Sequence, residues 1–123
     1  MGYELNIKFN LALESLDDAK FGLENERFKI GVNRAYYAVF YAVKALLFKK
    51  GFSPKTHTGT ISKFGEEFVL NDTFNRKIAK IFTDLEELRE KSDYDDVFNY
   101  NEELVLNTIK EAEMFIEEAR KFL

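Results

Sequence analysis

The chain of 123 residues has no cysteine and no tryptophan, a single proline, six glycines and one histidine. Without cysteine there is neither a disulfide nor a thiolate metal site, and one imidazole cannot build a structural zinc site. So few prolines and glycines leave little room for long loops or tight hairpin turns, which favours an all-helical chain. The apolar run around Phe40 is too short for a bilayer span and is broken by Lys44. The N-terminus lacks the basic, apolar and small-residue zones of a signal peptide, so a cytoplasmic location is the expectation. One further absence is local. The net charge is −4, yet residues 27–65 contain no Asp or Glu, while Arg27, Lys29, Arg34, Lys44, Lys49, Lys50, Lys55 and Lys63 all fall there. Such a block can attract phosphate or an acidic partner. It can equally pair with the acidic helices of its own bundle.

What is present is aromatic: thirteen Phe and six Tyr. Five of them fall in residues 32–50, VNRAYYAVFYAVKALLFKK, a long apolar segment that separates into stripes at helical period. Gly31, Ala35, Ala38, Ala42 and Ala45 make a face of small side chains that lets a neighbouring helix approach closely. Tyr36, Phe40, Val43 and Leu47, widened by Val39 and Leu46, make a bulky face. Arg34, Tyr37, Tyr41, Lys44 and Phe48 form the third. A helix apolar on most of its circumference is surrounded by other helices.

Around this centre the pattern predicts a first helix over residues 4–24, with Leu5, Phe9, Ala12, Leu16, Ala19 and Leu23 inward. A short connection spans residues 25–28. The central helix starts near Lys29 and stops at Gly51, the left-handed residue past its end, with Pro54 preventing continuation. A third helix is expected over residues 58–70, capped by Thr56 or Thr58, and a fourth over residues 74–91. A polar loop over residues 92–99 comes next. The last helix is capped by Asn99 or Asn101, Asn99 with Glu102 having the spacing of a capping box. The sum is one domain over residues 1–123: all-α, a five-helix, mainly up-and-down bundle.

NRAYYAVFYAVKALLFKKGF, then SPKTHTGTISKFGEEFV, then LREKSDYDD and a last amphipathic helix together resemble the HEPN-domain family, in its small stand-alone branch. The resemblance implies a helical homodimer with polar residues of both subunits beside a shared cleft. It also implies a partner, a minimal nucleotidyltransferase, in a toxin–antitoxin pair, and RNA or a nucleotide as ligand. Active members are metal-independent ribonucleases with an Arg-x4-6-His motif, in which Arg holds a phosphate and His transfers protons. Here Tyr41 stands seven residues after Arg34, no His follows Arg89 in LREKSDYDD, and the one imidazole is His57.

Arg34, Tyr37, Tyr41 and Lys44 can line an anionic pocket, because guanidinium grips phosphate bidentately and phenol offers a stacking face with a hydroxyl. The same residues would also fit an Arg34 paired with an acid of the fourth or fifth helix. His57 suits proton transfer near neutral pH or a plain capping role. The run from Lys55 to Gly59 resembles an anion-binding helix start. Arg89 and Tyr94 can join the same cleft, or close a helix end and pack a loop. Asp95 and Asp96 are adjacent acids without further ligands, so no metal and no cofactor are expected. The candidate catalytic residues are therefore Arg34, Tyr41 and His57, and the ligand-binding ones Arg34, Tyr37, Lys44, Lys55, Arg89 and Tyr94. The function expected is a dimeric RNA- or nucleotide-binding module acting with a nucleotidyltransferase. An endoribonuclease with a degenerate motif is the second reading, and a purely structural dimer the third.

Overall fold

The computed structural model describes residues 2–123, and all regular structure among them is helical. The helices are α1 (Tyr3–Glu24), α2 (Phe28–Lys49), α3 (His57–Phe64), α4 (Arg76–Tyr94) and α5 (Glu102–Arg120), with a π-helical turn, Gly65–Val69, continuing α3. As the apolar pattern requires, α2 packs against all four other α-helices. Its small face is fully used. Gly31, Ala35, Ala38, Ala42 and Ala45 are all buried, and the approach of α1 is so close that a Cβ on Gly22 would lie 2.9 Å from the Gly31 nitrogen. The bulky face, with Tyr36, Val39, Val43, Leu46 and Leu47, is sealed from water. Against the bundle's other side lies a cluster of Phe64, Phe68, Phe74, Phe82 and Phe115 rings. Each such side chain contributes about 1.5–3 kcal/mol by leaving water.

Helix ends follow local chemistry. Gly51 has φ of 94°, and the Phe52 and Gly51 N–H groups donate to the Leu47 and Phe48 carbonyls at 2.9 Å each. That pair of bonds is a Schellman motif, with Gly51 at its left-handed position. Thr56, not Thr58, caps α3, accepting from the Gly59 N–H at 2.8 Å.

Four boundaries differ from those the sequence pattern predicts. The third helix starts at His57 and is regular only to Phe64; beyond it the Leu70 N–H reaches back to the Gly65 carbonyl, five residues away, at 2.9 Å. The fourth helix begins at Arg76, because the Asn75 side chain accepts from the Ile78 N–H at 3.1 Å and fixes the start there. It runs on to Tyr94, so Ser92, Asp93 and Tyr94 belong to the helix and not to a loop. The last helix is capped by Asn101, one of the two caps expected, which accepts from the Leu104 N–H at 2.8 Å, so Asn99 and Glu102 form no capping box. No described helix is long and apolar enough to cross a membrane.

Candidate functional site

The third stripe of α2 emerges half-buried: Arg34, Tyr37, Tyr41 and Lys44 are all partly exposed. Arg34 donates from Nε and Nη2 to Asn33 Oδ1 at 2.9 and 2.7 Å. Its guanidinium carbon lies 4.8 Å from the centre of the Tyr37 ring. Among the described residues no carboxylate pairs with it, so the alternative of an acid from α4 or α5 is not what holds this side chain. Among the described residues no side chain or carbonyl accepts from Nη1.

Tyr37 links Arg34 to His57. The Tyr37 and His57 rings meet edge to face at 5.8 Å, and His57 stacks on Phe40 at 4.4 Å. His57 reaches this surface because the Gly51 stop and the Thr56 cap turn α3 back across α2. Its Nδ1 lies 3.0 Å from the Tyr36 hydroxyl. That bond fixes the ring and leaves Nε2 as the nitrogen available for chemistry. If the hydroxyl donates, Nε2 carries the proton; if Nδ1–H donates, Nε2 is the base.

The sequence pattern assigns Tyr36 wholly to the core and gives no sign that it orients His57. Its ring is indeed fully buried, but a buried tyrosine needs a partner for its hydroxyl, and that requirement was the available signal. Behind it stands Glu86, also missed. Burial pushes the Tyr36 phenol far above its ordinary value, and the neighbouring Glu86 carboxylate pushes it further in the same direction. The phenol feels that carboxylate electrostatically, while its directed hydrogen bond goes to His57. Burial pushes the Glu86 carboxyl up, but Tyr36, Glu90 and the Arg89 guanidinium outweigh it and hold the group below the usual carboxylate range.

The other candidates divide. Arg89 lies behind the surface, its guanidinium carbon 4.9 Å from the Tyr36 ring centre. Nη2 donates to Glu86 Oε1 and Nη1 to Asp93 Oδ2, both at 3.1 Å. Its charge is thus committed to carboxylates, and it braces Tyr36. Glu86 Oε2 and Arg89 Nε are buried with no hydrogen-bond partner. Tyr41 tilts against Tyr37 at 5.9 Å and lies with Lys44 further along α2. Lys55 is exposed in the loop before His57, and Tyr94 stands 85% exposed at the end of α4. The described residues contain no group of three or more His, Asp or Glu placed to hold a metal ion.

The family model for the HEPN domain matches residues 8–123. The chain belongs to the HEPN-domain family. A relative in Thermotoga maritima, named only as a UPF0332 protein, is 41% identical over 91% of this chain and 85% of its own length. A protein of Methanocaldococcus jannaschii named as a candidate toxin is 38% identical over 98% of this chain and 89% of its own length. A second candidate toxin of the same organism is 28% identical over 98% and 82%. In this HEPN domain the Tyr37 ring links Arg34 to His57, with the Tyr36–Glu86–Arg89 cluster behind them.

Proposed function

We propose that this HEPN domain is a dimeric module that binds RNA or nucleotide phosphate and works with a minimal nucleotidyltransferase in a toxin–antitoxin-type system. The observation that carries the reading is Arg34: a half-buried guanidinium held by an amide and an aromatic face, with no carboxylate partner among the described residues, and linked through the Tyr37 ring to the one imidazole. An arginine so placed keeps its positive charge uncompensated and presents a planar edge to phosphate oxygens. The names of the Methanocaldococcus relatives support a toxin-type role. Binding of short single-stranded RNA and of nucleotides, measured across salt concentration, tests it. Wild-type affinity falls with salt, and Arg34→Ala weakens binding at least several-fold while flattening the salt slope by about one phosphate contact. Binding indifferent to Arg34→Ala, or none in the wild type, refutes the reading. Light scattering of the purified chain, alone and with the partner, tests the assembly.

The hydrogen bond that steers His57 supports a second reading, metal-independent RNA cleavage. In that reaction the 2′-oxygen attacks the adjacent phosphorus and the bond to the 5′-oxygen breaks. A base takes the 2′ proton and an acid returns one to the leaving oxygen. His57 Nε2 serves one of these transfers and Arg34 steadies the charge on the non-bridging oxygens. Cleavage in EDTA that disappears in both Arg34→Ala and His57→Ala is the expected result; cleavage that survives both eliminates this mechanism.

A further inference from the structure

The seam between α1 and α2 holds a second basic cluster. Lys8 of α1, with Tyr41 and Lys44 of α2 and the edge of Leu11, lines a hollow of about 60 Å³. Lys8, Tyr41 and Lys44 are each half-buried. Neither ammonium has a carboxylate partner; the lysine ion pairs among the described residues belong to Lys20, Lys50, Lys63, Lys80 and Lys121. Each is held instead over an aromatic face. Lys8 Nζ is 4.8 Å from the Phe48 ring centre, and Lys44 Nζ is 5.6 Å from that of Phe40. The side-chain hydrogen bonds of α2 engage Arg34, Tyr36 and Lys49 and leave the Tyr41 hydroxyl free.

Two like charges and a phenol that line one hollow gain from a counter-charge, because the partly desolvated setting amplifies both the repulsion between the charges and the attraction to an anion. A hollow of this size has room for several water molecules, and so for one tetrahedral oxyanion. We propose that this hollow is a phosphate subsite, with Lys8 and Lys44 as the charged contacts and the Tyr41 hydroxyl as a donor. The inference rests on the reading that Arg34 grips a phosphate of the same ligand. Ten residues separate Arg34 from Lys44, about 15 Å along the helix, so the two positions take different phosphates. In RNA the second is another backbone phosphate of the bound strand; a free phosphate has the same chemistry.

The test measures inorganic phosphate, AMP and a uridine decamer against the wild type, Lys8→Gln/Lys44→Gln and Arg34→Gln, with circular dichroism to establish folding of each. Lys8→Gln alone and Tyr41→Phe, each removing one contact, provide milder variants. The expected result is that the lysine pair variant weakens the decamer about tenfold and lowers the salt slope by about 0.7, the share of one phosphate on a single strand. Arg34→Gln lowers it by a further similar amount, additively, as for separated sites. A loss confined to the decamer assigns the subsite to an RNA backbone; an equal loss for inorganic phosphate assigns it to free phosphate. If Arg34→Gln weakens the decamer while the lysine variants change neither affinity nor slope, the subsite is overturned and the proposed function stands. If inorganic phosphate shifts the Lys8 and Lys44 Nζ resonances but no RNA or AMP binds, the subsite stands and the proposed function falls. Silence toward all three probes overturns both.

Discussion

Replacing Tyr36 by Phe removes one oxygen from the interior and nothing else. The side chain is fully buried, and its hydroxyl meets His57 Nδ1 at 3.0 Å beside the Glu86 carboxylate. Losing that bond and leaving its partners unsatisfied costs about 1–3 kcal/mol at neutral pH. The pH dependence is more diagnostic. Burial first, and the Glu86 carboxylate second, raise the phenol above its ordinary value of 10.0. Below that value the hydroxyl is neutral in both folded and unfolded chains and contributes no slope. Above it the unfolded phenol ionises while the buried one cannot. The unfolded state then binds fewer protons, and wild-type stability falls at a rate approaching about 1.4 kcal/mol per pH unit. The phenylalanine variant lacks this contribution. Urea unfolding of both proteins at pH 7, 9, 10 and 11 should therefore give a stability gap that is constant to about pH 10 and narrows beyond it. A gap unchanged at pH 11 would mean the hydroxyl ionises as freely as in the unfolded chain, and the buried Tyr36–His57 contact would have to be abandoned.

Three further outcomes rest on the same physics. Glu86→Gln leaves Arg89 short of a charge and should cost about 1–3 kcal/mol near pH 7. Because Glu86 is held below the usual carboxylate range, its contribution is present above the ordinary carboxylate value and is lost as pH falls through the lower folded one. The variant's acid unfolding limb should accordingly be shallower, and an identical limb would contradict that assignment. Gly22→Ala adds a Cβ 2.9 Å from the Gly31 nitrogen and 3.0 Å from the Arg27 carbonyl oxygen. The clash, about 1–3 kcal/mol, outweighs the helix-propensity gain of about 1 kcal/mol, so thermal unfolding should shift down; an unchanged or raised midpoint would show that the helices can separate freely. Thr56→Ala removes the cap of α3 and should lower stability by about 1 kcal/mol, with His57 imidazole resonances shifting as the start of its helix frays; undisturbed resonances would detach the cap from the site.

The central helix was legible because its three stripes are written at one period, and its stop because Gly51 and Pro54 are unambiguous punctuation. The candidate surface was legible only as one helix face: Arg34, Tyr37, Tyr41 and Lys44 share a stripe, whereas the arrival of His57 depends on a turn and a crossing that no local pattern encodes. Tyr36 and Glu86 lie 50 residues apart in number, 86 less 36, and periodicity sees only one helix at a time. Arg89 could be read either as joining the cleft or as closing a helix end; the helix in fact continues to Tyr94, and Asp93 comes within its reach at i+4. Lys8 precedes the acid-free block and lies on a different helix from Tyr41 and Lys44, so no single-helix stripe joins them.

The widened turn at Gly65–Val69 stores a phase offset in the bundle. Phe68 stacks on Phe64 at 5.7 Å, four residues apart as on any helical face, and the one surplus residue shifts the phase of the backbone that follows them. Deleting a single residue there would rotate the next stretch of backbone by about 100° and carry an aromatic anchor into water. Segment length is therefore tightly constrained at this point, while insertions are better accommodated between α4 and α5, where the connecting backbone is largely exposed. Grafts, tags or loop exchanges on this scaffold belong at that second junction.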